Sequence, residues 1–304
     1  MVVLTGPTAV GKTALSLKLA RALDGEIVSA DSMQVYRRMD IGTAKVTRDE
    51  MEGIPHHLID VLEPDEDFNV VIFTSMAREA MEGIYSRGRI PVVTGGTGFY
   101  IQALAYDVNF EEHRESDYRR QLRALAEERG AEYLHSLLAQ VDPAYAAGIH
   151  ANNVKRVIRA LEFYHETGKR LSVHNSRERE RTSPYDLWYF VLNLKRQDLY
   201  DRINRRVDQM MEQGLKEEAC GLIQGGLRED MTCMQGIGYR EFFPYIRGER
   251  TLEETVEQIK KDTRHFAKRQ LTWFRREKDV IWMNKEDYPE EDQLLAGMLS
   301  RIRA

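Results

Sequence analysis

The sequence predicts an α/β protein, a core of parallel sheet flanked by helices that carries a mostly helical insertion. Three features point there. Over about the first 100 residues, short apolar runs alternate with amphipathic stretches, the rhythm of strands joined by crossover helices. The stretch "GPTAVGKT", residues 6–13, stands between an apolar run and a helical one. From about Glu111 to Arg181 strand signals disappear and helical spacing takes over.

Each element follows from its local pattern. "VVLT" reads as the first strand, "ALSLKLARAL" as its helix and "EIVSAD" as the second strand. "VVIFTSMAREAMEGIYSRG" has helical spacing and ends at Gly88, and "IPVVTGG" is a further buried strand. In the insertion, "SDYRRQLRALAEERG", "AEYLHSLLAQV" and "NNVKRVIRALEFYHETG" read as helices. "YDLWYFVLNL" returns to strand character, and helices dominate from there onward. The expected domains are therefore a core of residues 1–112 and 181–304 with its C-terminal helices, and an insertion of residues 113–180. Neither an internal repeat nor a low-complexity tract interrupts this pattern.

At 304 residues and 35.3 kDa the chain is long enough to bury a sizeable core. No apolar run approaches the roughly 18 residues of a membrane span, and the N-terminal residues lack a basic stretch followed by an apolar one. The expectation is a cytoplasmic protein without membrane contact. Cys220 and Cys233 are the only cysteines, which excludes a disulfide framework and a four-thiolate zinc site. The net charge of −5 argues against a uniformly basic RNA coat, yet Lys155–Arg206 carries roughly +6 and Glu257–Lys278 roughly +5. Local fields decide whether a polyanion docks.

Gly6, Gly11, Lys12 and Thr13 satisfy GxxxxGK[S/T], so the core is P-loop NTPase-like. Glycines let backbone amides converge on phosphate oxygens, Lys12 adds a cation, and Thr13 can place its hydroxyl on Mg²⁺. The following helix directs its positive end at the same spot. Such a cradle takes a di- or triphosphate without saying which compound carries it. Asp31 is the one carboxylate that the strand pattern places at the C-terminal sheet edge, where it is positioned to hold magnesium or to accept a proton. Ser32 and Gln34 suit a base edge, and Lys45 reads either as a phosphate contact or as a solvated lysine. Thr97, after paired glycines at a strand end, reads as a ligand contact. His56 and His57 are adjacent, so they point apart and suggest no metal.

A helical wheel of "KKDTRHFAKRQLTWFRR" puts Phe266, Ala267, Gln270, Leu271, Trp273 and Phe274 on a core face. Lys261, Arg264, His265, Lys268, Arg269, Arg275 and Arg276 fall opposite, as a face for RNA phosphates. Lys155, Arg156 and Arg159 add charge on the insertion. Arg202 and Arg206, four apart, share a helix face, and one of them is a clamp for a leaving phosphate; the alternative is ion pairing with Asp198 or Asp201.

"GPTAVGKT", "DSMQVYRRMDIGTAK", "PHHLID", "GGTGFY", "RVIRALEFYHETG", "GIGYRE" and "KRQLTWFRR" together resemble the tRNA dimethylallyltransferases, the bacterial tRNA isopentenyltransferase family, nearly from end to end. The resemblance implies transfer of a dimethylallyl group from dimethylallyl diphosphate to the exocyclic amine of the adenosine 3′ of the tRNA anticodon, with Mg²⁺ and release of diphosphate. It implies Asp31, Thr97 and Arg202 as the catalytic set, with Asp31 as base. It implies Gly6, Thr8, Ala9, Val10, Gly11, Lys12 and Thr13 as the diphosphate site, with Thr13 on the metal. For the tRNA anticodon stem-loop it implies Asp31, Ser32, Met33, Gln34, Thr97, the run Lys155, Arg156, Val157, Ile158, Arg159, and the run Met234, Gln235, Gly236, Ile237, Gly238, Tyr239. A monomer is expected. The rivals are a P-loop kinase, since the cradle alone does not exclude ATP, an adenylate isopentenyltransferase, and an RNA-binding ATP switch. The helical insertion and the two basic regions favour a tRNA acceptor.

Overall fold

The computed structural model describes residues 1–108 and 116–303, with the side chain of Arg179 excepted. In chain order, β1 (Val2–Thr5), α1 (Lys12–Ala22), β2 (Gly25–Ser29), β3 (His56–His57), α2 (Val70–Ser86), β4 (Ile90–Gly95) and α3 (Gly98–Ala105) come first. Five helices follow, α4 (Asp117–Arg129), α5 (Ala131–Val141), α6 (Pro143–Ala147), α7 (Val154–Thr167) and α8 (Leu171–Glu180). The chain then runs through β5 (Trp188–Asn193), α9 (Arg196–Glu212), α10 (Leu215–Gln224), α11 (Phe242–Ile246), α12 (Leu252–Phe274), β6 (Val280–Asn284) and α13 (Glu291–Ile302).

The described chain divides into two compact units, residues 1–107 with 183–303 and residues 108–182. The expected boundary at 112/113 lies outside the described residues. In the first unit the strands form one sheet in the order β3-β2-β4-β1-β5-β6, every pairing parallel. β1 is central, with Val2 opposite Val92 on one side and Trp188 on the other. All four of its residues are buried, as a parallel strand covered by helices on both faces requires. Leu15, Leu17 and Leu19 of α1 pack into the same core as Leu4, Ile27, Val92 and Phe190. Two strands escaped the sequence reading. β3 has only two residues, and β6 is a mostly half-buried edge strand between charged segments where continued helix was expected.

Parallel pairing brings the C-terminal ends of the strands to one edge. There β1 runs into residues 6–11, β2 into Asp31, β4 into Thr97 and β6 into Lys285. Ligands of open α/β sheets bind at this edge. α12 is launched by a capping box in which Thr251 Oγ1 accepts from Glu254 N and Glu254 accepts from Thr251 N.

The second unit has its own core, built from Leu122, Leu134, Leu138, Ala146, Val157, Ile158 and Leu161 among others. Its buried Glu162 accepts from Ser116 Oγ and from the Arg119 guanidinium. Its buried Asp142 caps α6 at Tyr145 N and accepts from the backbone and hydroxyl of Ser172. Both carboxylates are thereby paired, which is what makes their burial tolerable. Among the described residues no helix is long and apolar enough to cross a membrane.

Candidate active site and nucleic-acid surfaces

The loop after β1 is bent as a phosphate cradle. Gly6 has φ 147° and Gly11 φ 94°, and between them Val10 N donates to Pro7 O at 3.4 Å.

 Ala9 itself lies at φ 64°, a left-handed conformation that non-glycine residues rarely adopt. At Gly6 a side chain has no room, because a Cβ would stand 2.6 Å from Leu192 O of the neighbouring strand. Lys12 Nζ folds back onto the loop, donating to Gly6 O at 3.0 Å and Pro7 O at 2.9 Å. Burial pulls its pKa down to about 8, the Arg206 guanidinium adds to this and Asp31 opposes it. Burial also lowers Arg206, against the attraction of Asp31. Two cations and one carboxylate thus share a poorly solvated space beside the cradle.

A cavity of about 260 Å³ opens there. Thr8 of the cradle, Asp31, Ser32, Met33 and Thr97 line it, as do Gln235, Gly236, Ile237, Gly238 and Tyr239. Asp31 Oδ1 accepts from Met33 N at 2.9 Å and Gln34 N at 3.4 Å, which pins the carboxylate and leaves Oδ2 without a hydrogen bond among the described residues. Thr97 Oγ1 accepts from Ser32 N at 3.3 Å and lies 3.5 Å from Ser32 Oγ. Arg206, Ile203, Val207 and Met210 of α9 and Phe266 and Arg269 of α12 complete much of the wall, and no contiguous motif marks them as one site.

The glycines before Thr97 are explained by α12. A Cβ on Gly96 would stand 2.2 Å from Gln270 Nε2, and one on Gly98 2.3 Å from Trp273 Cδ1. Gln270, buried on α12, accepts from Thr8 N at 2.9 Å and donates to Gly96 O at 2.9 Å, so one amide joins the cradle to the loop that carries Thr97. Another brace comes from α10. Glu218 accepts from the consecutive N–H groups of Asp40, Ile41 and Gly42 at 2.9, 2.9 and 3.0 Å and from the Tyr239 hydroxyl at 2.7 Å. This ties together two walls of the cavity.

Several expected contacts lie elsewhere. Lys45 is neither solvated nor turned to phosphate: its side chain is 4% exposed, and Nζ reaches Tyr36 O, Asp40 and Asp60 at 2.6 Å each. The Gln34 amide spends its donors on Thr43 O and Ala44 O. Met234 is fully buried. Val157 and Ile158 belong to the core of the second unit, so side-chain contact from that stretch falls to Lys155, Arg156 and Arg159. His57 bonds Glu26, which Arg87 and Arg89 also hold. Among the described residues no group of three or more His, Cys, Asp or Glu gathers as a metal cage.

Arg202, predicted as a clamp, is exposed and lies outside the cavity wall, but its Nη1 would be 3.9 Å from a Cβ on Gly11. Neither Arg202 nor Arg206 forms an ion pair with Asp198 or Asp201; Asp201 instead accepts from Gln197. The Thr13 hydroxyl has no partner among the described residues. A hydroxyl that spends no bond on the protein suits Mg²⁺ that arrives with a phosphate ligand and keeps its waters.

On α12, Lys261, His265, Lys268 and Arg269 are exposed, as are Arg275 and Arg276 just past its end, while Ala267, Gln270 and Phe274 are buried. Phe266 departs from the expected core face and lines the cavity, with the Arg269 guanidinium 5.7 Å from its ring centre. The basic face and the cavity thus meet on one helix.

The family model described as IPP transferase matches residues 34–277, and one described as isopentenyl transferase matches residues 1–63. The chain is 54% identical over 300 residues to the tRNA dimethylallyltransferase of Lachnoclostridium phytofermentans, covering 98% of this chain and 96% of that protein. The crystal structure of the tRNA isopentenylpyrophosphate transferase of Bacillus halodurans is similar at TM-score 0.74 and 46% identity, over 99% of this chain and 96% of that one. A eukaryotic dimethylallyltransferase, described as acting on tRNA, is similar at TM-score 0.82 and 30% identity, over 98% of this chain and 77% of that one.

Proposed function

The chain belongs to the IPP transferase family, and from that premise we propose which residues carry its reaction. The enzyme transfers a dimethylallyl group from dimethylallyl diphosphate to the exocyclic amine of the adenosine 3′ of the tRNA anticodon and releases diphosphate. The observation that supports the assignment is a shared chamber: Thr8 of the phosphate cradle, Asp31 and Thr97 line one cavity.

Asp31 is the base. Its Oδ1 is occupied by two backbone amides, so Oδ2 accepts the proton of the attacking amine. Thr97, held at Ser32, positions that amine. Negative charge grows on the departing diphosphate, and the cradle amides, Lys12, Arg206 and Arg202 lie where they can stabilise it. Mg²⁺, when bound, would neutralise part of that charge, and Thr13 would hold it through its hydroxyl.

The adenosine must leave its stack to enter the cavity. Ser32, Met33 and the segment Gln235–Tyr239 form the wall that would receive it. The exposed basic face of α12 and, in the second unit, Lys155, Arg156 and Arg159 supply cations for the tRNA backbone. A tRNA acceptor also supports the cytoplasmic setting, and a cavity complete within one chain supports a monomer.

The test is a transfer assay with unmodified tRNA, magnesium and either labelled dimethylallyl diphosphate or labelled ATP. Isoprenoid label should enter one adenosine of the anticodon loop. Consumption of ATP alone would overturn the assignment.

A further inference from the structure

The segment after β6 brings a lysine to the phosphate cradle that no sequence motif marks. β6 lies beside β5 with Asn284 opposite Asn193, and the next residue, Lys285, leaves the C-terminal edge of the sheet. A Cβ on Gly11 would stand 3.1 Å from Lys285 Nζ and 3.9 Å from Arg202 Nη1. Two cations from distant segments therefore converge on the glycine that opens α1.

Lys285 is poorly compensated in that position. Its side chain is 16% exposed, and its carboxylate contact is Glu291 at 3.8 Å, longer than a hydrogen bond. Glu291 is also shared with Lys18 at 3.3 Å. Burial lowers the ammonium pKa, Arg202 lowers it further, and Glu291 only partly opposes them. A half-buried ammonium beside a guanidinium, over a phosphate-cradle loop, suits a multiply charged anion.

We propose that Lys285 is a further diphosphate-binding residue, which with Arg202 grips the end of the diphosphate remote from the acceptor. The sidedness follows from the cavity: Asp31, Thr97 and Arg206 line it, whereas Lys285 and Arg202 do not. Binding exchanges the long contact with Glu291 for a short, charge-assisted bond to phosphate, and the same contact persists as charge builds on the leaving group.

This inference rests on residues 6–13 being the diphosphate site, and the experiment separates the two. The affinity of the full chain for inorganic diphosphate is measured by calorimetry at fixed ionic strength for the unsubstituted protein, Lys12→Met, Lys285→Met and Glu291→Gln. Binding should be lost in Lys12→Met and weakened about ten-fold or more in Lys285→Met, with the KM for tRNA unchanged. Glu291→Gln should bind diphosphate as tightly as the unsubstituted protein or more tightly. Unchanged affinity in Lys285→Met, with loss in Lys12→Met, overturns the role of Lys285 alone. Unchanged affinity in Lys12→Met overturns the site itself. Equal weakening in Glu291→Gln and Lys285→Met also overturns the proposal, since the ion pair would then be a structural staple.

Discussion

Gln270 accepts a hydrogen bond from the backbone N–H of Thr8 at 2.9 Å, across 262 residues of chain. Through the other end of the same amide it holds Gly96 O, so the cradle and the Thr97 loop share one support on the basic helix.

Replacing Gln270 by Leu leaves the Thr8 N–H and the Gly96 carbonyl without this partner. Stability should fall by about 2 kcal/mol or more in denaturant unfolding. The KM for dimethylallyl diphosphate should rise, because Thr8 is no longer fixed. A normal KM with a normal unfolding midpoint would remove Gln270 from the support.

Asp31→Ala should bind tRNA while transferring at a rate lower by about 100-fold or more, the usual contribution of a positioned base. Filter binding and single-turnover transfer read the two effects separately. Transfer at the original rate would refute the base assignment.

With burial pulling its pKa down to about 8, Lys12 carries its charge below that pH and loses it as the pH rises through it. The kcat/KM for dimethylallyl diphosphate should therefore fall on the alkaline side of about 8, since this ratio reports free-enzyme ionisations. In Lys12→Met that limb should vanish along with most of the activity.

Gly98→Ala introduces a methyl group 2.3 Å from the Trp273 ring, a distance at which the indole or the backbone that carries it must shift. The expected result is a melting temperature lower by several degrees and a weaker affinity for tRNA, because Trp273 shares its helix with the basic face. Thermal unfolding and tRNA binding on the same sample decide it.

Glu26, 2% exposed, accepts from Arg87, Arg89 and His57 at the opposite end of β2 from Asp31. Its bonds to Arg87 are the main reason that its pKa is down at about 2 from the ordinary 4.5, with burial opposing. A depressed carboxylate stabilises the fold above the unfolded value and loses that contribution as the pH falls from 4.5 toward 2. Glu26→Gln should cost about 2 kcal/mol at neutral pH and flatten the acid limb of the stability curve. An unchanged limb would assign acid sensitivity to other carboxylates.

The cradle was legible because its chemistry is local: eight consecutive residues, Gly6–Thr13, contain the glycines, the lysine and the hydroxyl. Asp31 was legible because it ends a strongly apolar strand. Gln270 lay within a recognisable motif, but its polar amide was read as part of a core face, since only the fold brings Thr8 and Gly96 to it. Lys285 stayed hidden behind β6, whose residues VIWMN are a short apolar run flanked by charges, without the polar alternation that would separate strand from helix. Val157 and Ile158 show the reverse error, a contiguous motif read as one surface when helical periodicity turns those two residues inward.

The central position of β1 has a consequence for synthesis. The strand precedes the others of its sheet in the chain, yet its partners are β4, with Val2 opposite Val92, and β5, with Val2 opposite Trp188. One edge of an apolar strand therefore waits while the whole second unit is translated, on the order of 10 s at ordinary elongation rates. That unit can collapse on its own core in the interval, whereas the exposed edge of β1 is open to a chaperone or to another nascent chain.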